Sequence, residues 1–232
     1  LNQSGCRWVV APESYKTSMY REMIESVRDE MTTIERVLYF ETQEWEALQT
    51  SGRNSSHSRL SEVSQELRPD DAINIQYTSG TTGFPKGATL THRNILNNGY
   101  FVGELCGYTQ ADRVCVPVPF YHCFGMVMGN LACSTHASTM VIPAPTFDAV
   151  ATLQAVEQEK CTSLYGVPTM FIAELDHEEF GRFDLSSLRT GIMAGSPCPV
   201  EVMKMVIDRM NMGEVTICYG MTETSPVSPQ TR

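Results

Sequence analysis

From about residue 114 to residue 219, short apolar runs alternate with helix-length amphipathic stretches, and this alternation limits the fold more than any other property of the chain. Residues 114–118, 139–142, 163–165, 189–194 and 215–219 read as short buried strands. Residues 124–133, 147–160 and 200–210 read as helices, the last with Val202, Met203, Val206 and Met210 on one face. Strands separated by helices of this length cannot close as tight hairpins, so they pair in parallel through crossovers. The implied class is α/β, with mostly parallel sheets covered by helices.

Upstream, residues 7–12 form a strand ended by Pro12, and residues 15–31 carry Met19, Met23, Ile24, Val27 and Met31 at helical spacing. A second strand covers residues 34–40. Residues 41–71 are polar and Ser-rich, least hydrophobic at 52–56, and predict a mobile surface excursion. Residues 72–77 form a strand that enters a Gly/Thr-rich segment, followed by a short run over 88–91 and a helix over 94–106.

Hydrophobic residues make up 42% of the 232 and charged residues 19%, enough apolar material for a buried core. The net charge of −10 excludes a general polyanion binder, and with it nucleic acid as a partner. A phosphate ligand would be held locally, by backbone N–H groups, a lysine and a metal ion. The eight cysteines, at 6, 106, 115, 123, 133, 161, 198 and 218, include no C-x-x-C pair and read as buried, reduced thiols. A reducing compartment follows, cytoplasmic or alternatively the mitochondrial matrix. No apolar run approaches the roughly eighteen residues of a membrane span.

Four segments carry chemistry. Residues 77–87 place the hydroxyls of Thr78, Ser79, Thr81 and Thr82, the glycines Gly80, Gly83 and Gly87, the pair Phe84-Pro85 and the cation Lys86 directly after a strand. Glycines allow close backbone approach to an anion, and N–H, O–H and ammonium groups donate to phosphate oxygens. The Walker spacing is absent, and a hydroxyl-rich surface hairpin explains the same composition. Tyr219, Gly220, Met221, Thr222 and Glu223 end a strand with a ring, a hydroxyl and a carboxylate, at the edge where open α/β sheets bind ligands, although an ordinary strand-end turn has the same composition. The small residues of 191–197, ending in Gly195, Ser196 and Pro197, suit either a flat ring or a tight turn before a helix. His122 lies between Tyr121 and Phe124, where a lone histidine is ordinarily structural, and His92 reads as part of a helix start.

These four segments, in this order, resemble the signature motifs of the adenylate-forming (AMP-binding) superfamily of acyl-CoA synthetases, firefly luciferase and peptide-synthetase adenylation domains, nearest to medium- and long-chain fatty acyl-CoA ligases. The resemblance is close from about Asp71 onward and loose before it. It implies that Thr78 to Lys86 hold the phosphates of ATP, that Gly195, Ser196 and Pro197 edge the adenine, and that Tyr219, Gly220 and Met221 line the nucleotide with Tyr219 against the base. Thr222 would meet the α-phosphate, Glu223 would hold Mg²⁺, and His122 would sit near the acyl carboxylate. Lys86, Thr222, Glu223 and His122 are thus the expected catalytic residues. The implied reaction activates a fatty acid with ATP and passes the acyl group to coenzyme A. A carrier-protein thiol is the alternative acceptor, and intact Lys86, Thr222 and Glu223 argue against a non-catalytic nucleotide-binding module.

Residues 165–171 and the surroundings of Met126 and Met128 resemble acyl-pocket segments, and would serve equally as plain core. By the same resemblance, residues 1–232 would be the central part of the large N-terminal domain. The small C-terminal domain, with its mobile lysine, and a ribose-binding aspartate would fall beyond residue 232, so the chain alone would bind nucleotide weakly and turn over little. Such enzymes often form homodimers, which adds a second copy of the chain to the expected partners.

Overall fold

Leu1–Arg68 and Pro69–Arg232 are separate compact units in the computed structural model, which describes residues 1–55, 57–79 and 83–231. In the first unit, β1 (Trp8–Ala11) pairs in parallel with β2 (Arg36–Tyr39), Val9 opposite Val37, across the crossover helix α1 (Tyr20–Ser26). That helix is shorter than the expected 15–31. Tyr15 and Ser18 exchange backbone hydrogen bonds around a left-handed Lys16, and Met19, Met23 and Val27 stay exposed, so no packing extends the helix beyond its intrinsic limit.

The polar stretch 41–71, expected as a surface excursion, is mainly two helices, α2 (Gln43–Arg53) and α3 (His57–Glu66), which its composition did not reveal. Thr42 caps α2, its Oγ1 accepting the Trp45 N–H at 3.3 Å, and Glu44 and Glu46 in the first turn with Arg53 in the last complement the helix dipole. Neither helix buries a residue. The polarity therefore reports the exposure of this segment and not its backbone.

The second unit begins with an antiparallel hairpin, β3 (Ala72–Thr78) and β4 (Lys86–Thr91), in which Tyr77 faces Gly87 and Thr78 faces Lys86. Thr91 ends β4 and caps α4 (His92–Leu105) through a reciprocal box with Asn94, so strand and helix join without a loop. Next come β5 (Arg113–Cys115), a π-helical stretch Phe124–Leu131 leading into α5 (Ala132–His136), and β6 (Thr139–Val141). The expected regular helix over 124–133 is thus wound wider for most of its length. Apolar residues lie on nearly every side of it, so their spacing does not fix the winding.

The remaining elements are α6 (Ala149–Glu159), β7 (Ser163–Gly166), α7 (Pro168–Leu175), β8 (Thr190–Ala194), α8 (Val200–Met210), β9 (Glu214–Gly220) and β10 (Val227–Gln230). The six-stranded sheet runs β10-β9-β8-β7-β5-β6, parallel except for β10. Strand β10 was not anticipated. It sits at the edge, the position that tolerates Pro229 in a strand.

Successive strand residues feed opposite cores, as a doubly covered parallel sheet requires. Val114, Tyr165, Ile192 and Cys218 face one cluster, with Val102, Phe124 and Met128, whereas Cys115, Leu164 and Met193 face the other, with residues of α6, α7 and α8. All eight cysteines are free thiols, and six are buried. Tyr165 and Phe171, expected near an acyl pocket, are wholly buried core, and Met126 packs on a third cluster with Leu90, Ile95 and Val127. No described helix is long and apolar enough to cross a membrane.

Candidate active site

Two parallel strands deliver the site. β8 ends at Ala194 and turns at Gly195, and β9 ends at Tyr219-Gly220, so both release their chains at the carboxyl edge of the sheet. The chain then makes a tight turn, Thr222–Thr224, and returns as β10. The return is so close that a Cβ on Gly220 would lie 1.9 Å from the Pro226 carbonyl oxygen, which explains the glycine. The Met221 N–H donates to Pro226 O at 3.0 Å and to Thr224 Oγ1 at 3.1 Å, and Ser225 N–H donates to Thr222 O at 3.1 Å.

Between the edge and the π-helical stretch lies a cavity of about 150 Å³. Phe124, Met128, Ala194, Cys218 and Val227 give it apolar walls, and His122, Gly195 and the Tyr219–Thr222 segment border it. Tyr219 is 64% exposed, so an aromatic residue stands open at the cavity edge. Tyr165 supports the wall from behind, stacked on Phe124 at 5.7 Å and donating its hydroxyl to Met128 O at 3.0 Å.

The hairpin meets this turn from the other side. Thr78 Oγ1 donates to Glu223 Oε1 at 3.4 Å, joining residues 145 apart in sequence. Cys123 Sγ donates to Gln76 Oε1 at 2.8 Å and lies beside Thr222. Thr222 is buried while Glu223 and Lys86 are exposed, so the hydroxyl is fixed and the two charges face solvent where a charged ligand can reach them.

Burial pushes the Cys123 thiol up, with the Thr222 hydrogen bond opposing and the Glu223 carboxylate adding to the shift. Burial does the same to Cys218 in the cavity wall, more strongly. Both stay protonated at neutral pH, which removes them as nucleophiles. His122 Nδ1 accepts the Phe124 N–H at 3.1 Å, so a neutral ring carries its proton on Nε2.

Of the expected site residues, Thr78, Lys86, His122, Gly195, Tyr219, Gly220, Met221, Thr222 and Glu223 come together here. Ser79, Gly83, Phe84 and Pro85 lie on the exposed hairpin tip, while Gly80, Thr81 and Thr82 are outside the described residues. Ser196 and Pro197 follow Gly195 on an exposed bend beyond the cavity wall. Met128, from a segment that resembles an acyl pocket, lines the cavity. Gln76, Asn98 and Cys123 escaped sequence reading, because each acts through a partner more than forty residues away. The described residues contain no group of three or more His, Cys, Asp or Glu able to enclose a metal. A single exposed carboxylate, Glu223, fits instead a hard cation that keeps its waters and rides on substrate phosphates.

A hairpin carrying Lys86 and an aromatic-acidic turn meet beside an apolar cavity at the carboxyl edge of a parallel sheet, the α/β ligand-binding position. Residues 1–232 match the AMP-binding enzyme family over their whole length, and the chain belongs to that family. It is 46% identical over 251 residues to a putative acyl-CoA synthetase of Bacillus subtilis, YngI, covering 100% of this chain and 46% of that protein. It is 41% identical over 248 residues to the mitochondrial medium-chain acyl-CoA ligase ACSF2 of Danio rerio, covering 98% and 41%. A fatty acyl CoA synthetase of Mycobacterium tuberculosis shares the fold, with a TM-score of 0.79 at 21% identity over 98% of this chain and 42% of that one. The chain spans less than half the length of these relatives.

Proposed function

We propose that this chain carries the nucleotide and acyl sites of an AMP-forming acid–thiol ligase that activates a fatty acid with ATP and transfers it to coenzyme A. The observation that carries the reading is the meeting of Thr78 and Glu223 at 3.4 Å, which sets the Lys86 strand beside the Thr222 turn at the mouth of an apolar cavity. In the first step a carboxylate oxygen bonds to the α-phosphorus of ATP and the bond to pyrophosphate breaks. In the second the thiol sulfur bonds to the acyl carbon, AMP leaves, and the thiol proton passes to solvent.

The chain's own contribution is positioning and charge. Lys86 faces the phosphates, the buried Thr222 hydroxyl fixes the α-phosphate, and the Tyr219 face takes the purine. Glu223, helped by Thr78, would hold the Mg²⁺ that neutralises phosphate charge. His122 stands at the cavity rim, where its Nε2–H can donate to the substrate carboxylate. The apolar walls favour an aliphatic acid, and the medium-chain name of the zebrafish relative supports a medium-chain one. That relative's mitochondrial description supports the matrix as compartment beside the cytoplasm.

Acid-dependent exchange of labelled pyrophosphate into ATP by the complete gene product tests the reading, scanned over fatty acids of rising length and over aryl and amino acids. Exchange that peaks with an aliphatic acid is expected. Binding of MgATP without exchange for any acid overturns it.

A further inference from the structure

Asn98 lies in the interior of α4, where asparagine is a poor helix former and usually needs a reason to be present. Its side chain does not face solvent alone. Asn98 Nδ2 donates to Val227 O at 2.8 Å, and Asn98 Oδ1 accepts the Val227 N–H at 3.1 Å, so one amide satisfies both backbone groups of one residue, as a neighbouring strand would. Val227 is the first residue of β10, pairs with Gly220 and lines the cavity. Immediately before it, Pro226 O accepts the Met221 N–H and bonds the Thr224 hydroxyl, closing the turn that carries Thr222 and Glu223.

The other end of the connection is equally fixed. Helix α4 continues β4, whose first residue is Lys86, through the Thr91 cap. Its flank is pinned where a Cβ on Gly99 would lie 2.6 Å from Leu131 Cβ, on the π-helical stretch that supplies Phe124 and Met128. We propose that Asn98 is a positioning residue that locks the turn of Thr222 and Glu223 in register with the Lys86 strand, so that the two halves of the nucleotide site hold one triphosphate together. The inference rests on the reading of this site as an ATP site.

The test compares Asn98→Ala and Asn98→Asp with the parent in pyrophosphate exchange by the complete gene product, each rate normalised to folded protein by circular dichroism. Loss of register is expected to lower exchange about 10- to 100-fold for Asn98→Ala and to raise the half-saturating Mg²⁺ concentration, because misplacement by about 1 Å is enough for such a loss. In Asn98→Asp a protonated carboxyl can copy both amide bonds, whereas an ionised one repels Val227 O. Its rate relative to the parent is therefore expected to fall as pH rises, a signature that lost stability alone does not produce. Folded variants that exchange within about two-fold of the parent, with unchanged Mg²⁺ dependence, overturn the proposal. Should Asn98→Ala fail to fold, a pH-independent ratio for Asn98→Asp overturns it alone. Should the parent itself show no exchange, the proposed reaction fails while the positioning role is read from MgATP binding by calorimetry, with at least about ten-fold weakening in Asn98→Ala expected and equal affinity refuting it.

Discussion

Replacing Glu174 by leucine is expected to stabilise this chain, and increasingly so as pH rises. Glu174 is only 1% exposed, on α7 between the core residues Phe171 and Leu175, and neither carboxyl oxygen has a hydrogen-bond partner among the described residues. Burial pushes its pKa well above the ordinary 4.5. Below pH 4.5 both folded and unfolded chains hold the proton, and the folded state bears only the cost of an unpartnered neutral carboxyl, about 1–3 kcal/mol. Above it the unfolded chain ionises while the folded one does not, which removes about 1.4 kcal/mol of stability per pH unit until the folded pKa is reached. Leucine fills a similar volume and incurs neither cost. Urea unfolding of parent and Glu174→Leu between pH 4.5 and 8 should therefore give a positive difference that widens with pH. Glu174→Gln, which also cannot ionise, should show a difference from the parent that widens in parallel with leucine but from a lower starting point, because it keeps the cost of an unpartnered polar group. A leucine variant less stable than the parent, or a difference flat across the range, would show that the carboxyl finds a partner or solvent in the folded protein.

Three other substitutions probe the site and its frame. Glu223→Gln keeps an acceptor for Thr78 but removes the charge, and is expected to lower pyrophosphate exchange about 10²-fold with a higher Mg²⁺ requirement and unchanged thermal stability; an unaltered rate would take Glu223 out of the metal role. Gly191→Ala would set a Cβ 2.1 Å from Leu164 O and 2.4 Å from the Met212 Cε inside the sheet, so a loss of about 2–4 kcal/mol is expected in urea titration. Asp112 is 5% exposed, and although burial alone would raise its pKa, hydrogen bonds from Thr162 and Thr109 and the Arg189 guanidinium together hold it below the ordinary 3.8. Its stabilisation is complete above pH 3.8 and lost as pH falls through the lowered value, so Asp112→Asn should cost about 2–3 kcal/mol at pH 7, and the gap to the parent should close in acid.

What could be read from the sequence follows the range of the interactions involved. The parallel sheet was legible because β5, β7 and β8 are short runs buried at nearly every residue, which leaves no polar alternation, and α8 because Val202, Val206 and Met210 repeat at helical spacing. The hairpin and the Thr222 turn were legible as motifs, their chemistry lying within a few consecutive residues. Helices α2 and α3 were not, since apolar periodicity reports a buried face and these helices bury none; only local signs, the Thr42 cap and the acidic first turn, mark the start of α2. Strand β10 escaped because four residues containing a proline satisfy no strand pattern until β9 supplies a partner.

The residues that set the geometry of the site share that dependence. Gln76 has a meaning only against Cys123, and Asn98 only against Val227, 129 positions away. A motif states which groups can meet a phosphate, but the distance between Lys86 and Glu223 is decided by contacts the motif does not contain. Beside the direct Thr78–Glu223 and Cys123–Gln76 bonds, one helix carries several of those contacts. α4 grows from the Lys86 strand, packs through Gly99 on the cavity wall and holds the Glu223 turn through one amide. A small displacement of α4 would therefore disturb the proposed phosphate, metal and acyl positions together, so substitutions on its buried side should lower the rate of adenylation and weaken MgATP binding in step.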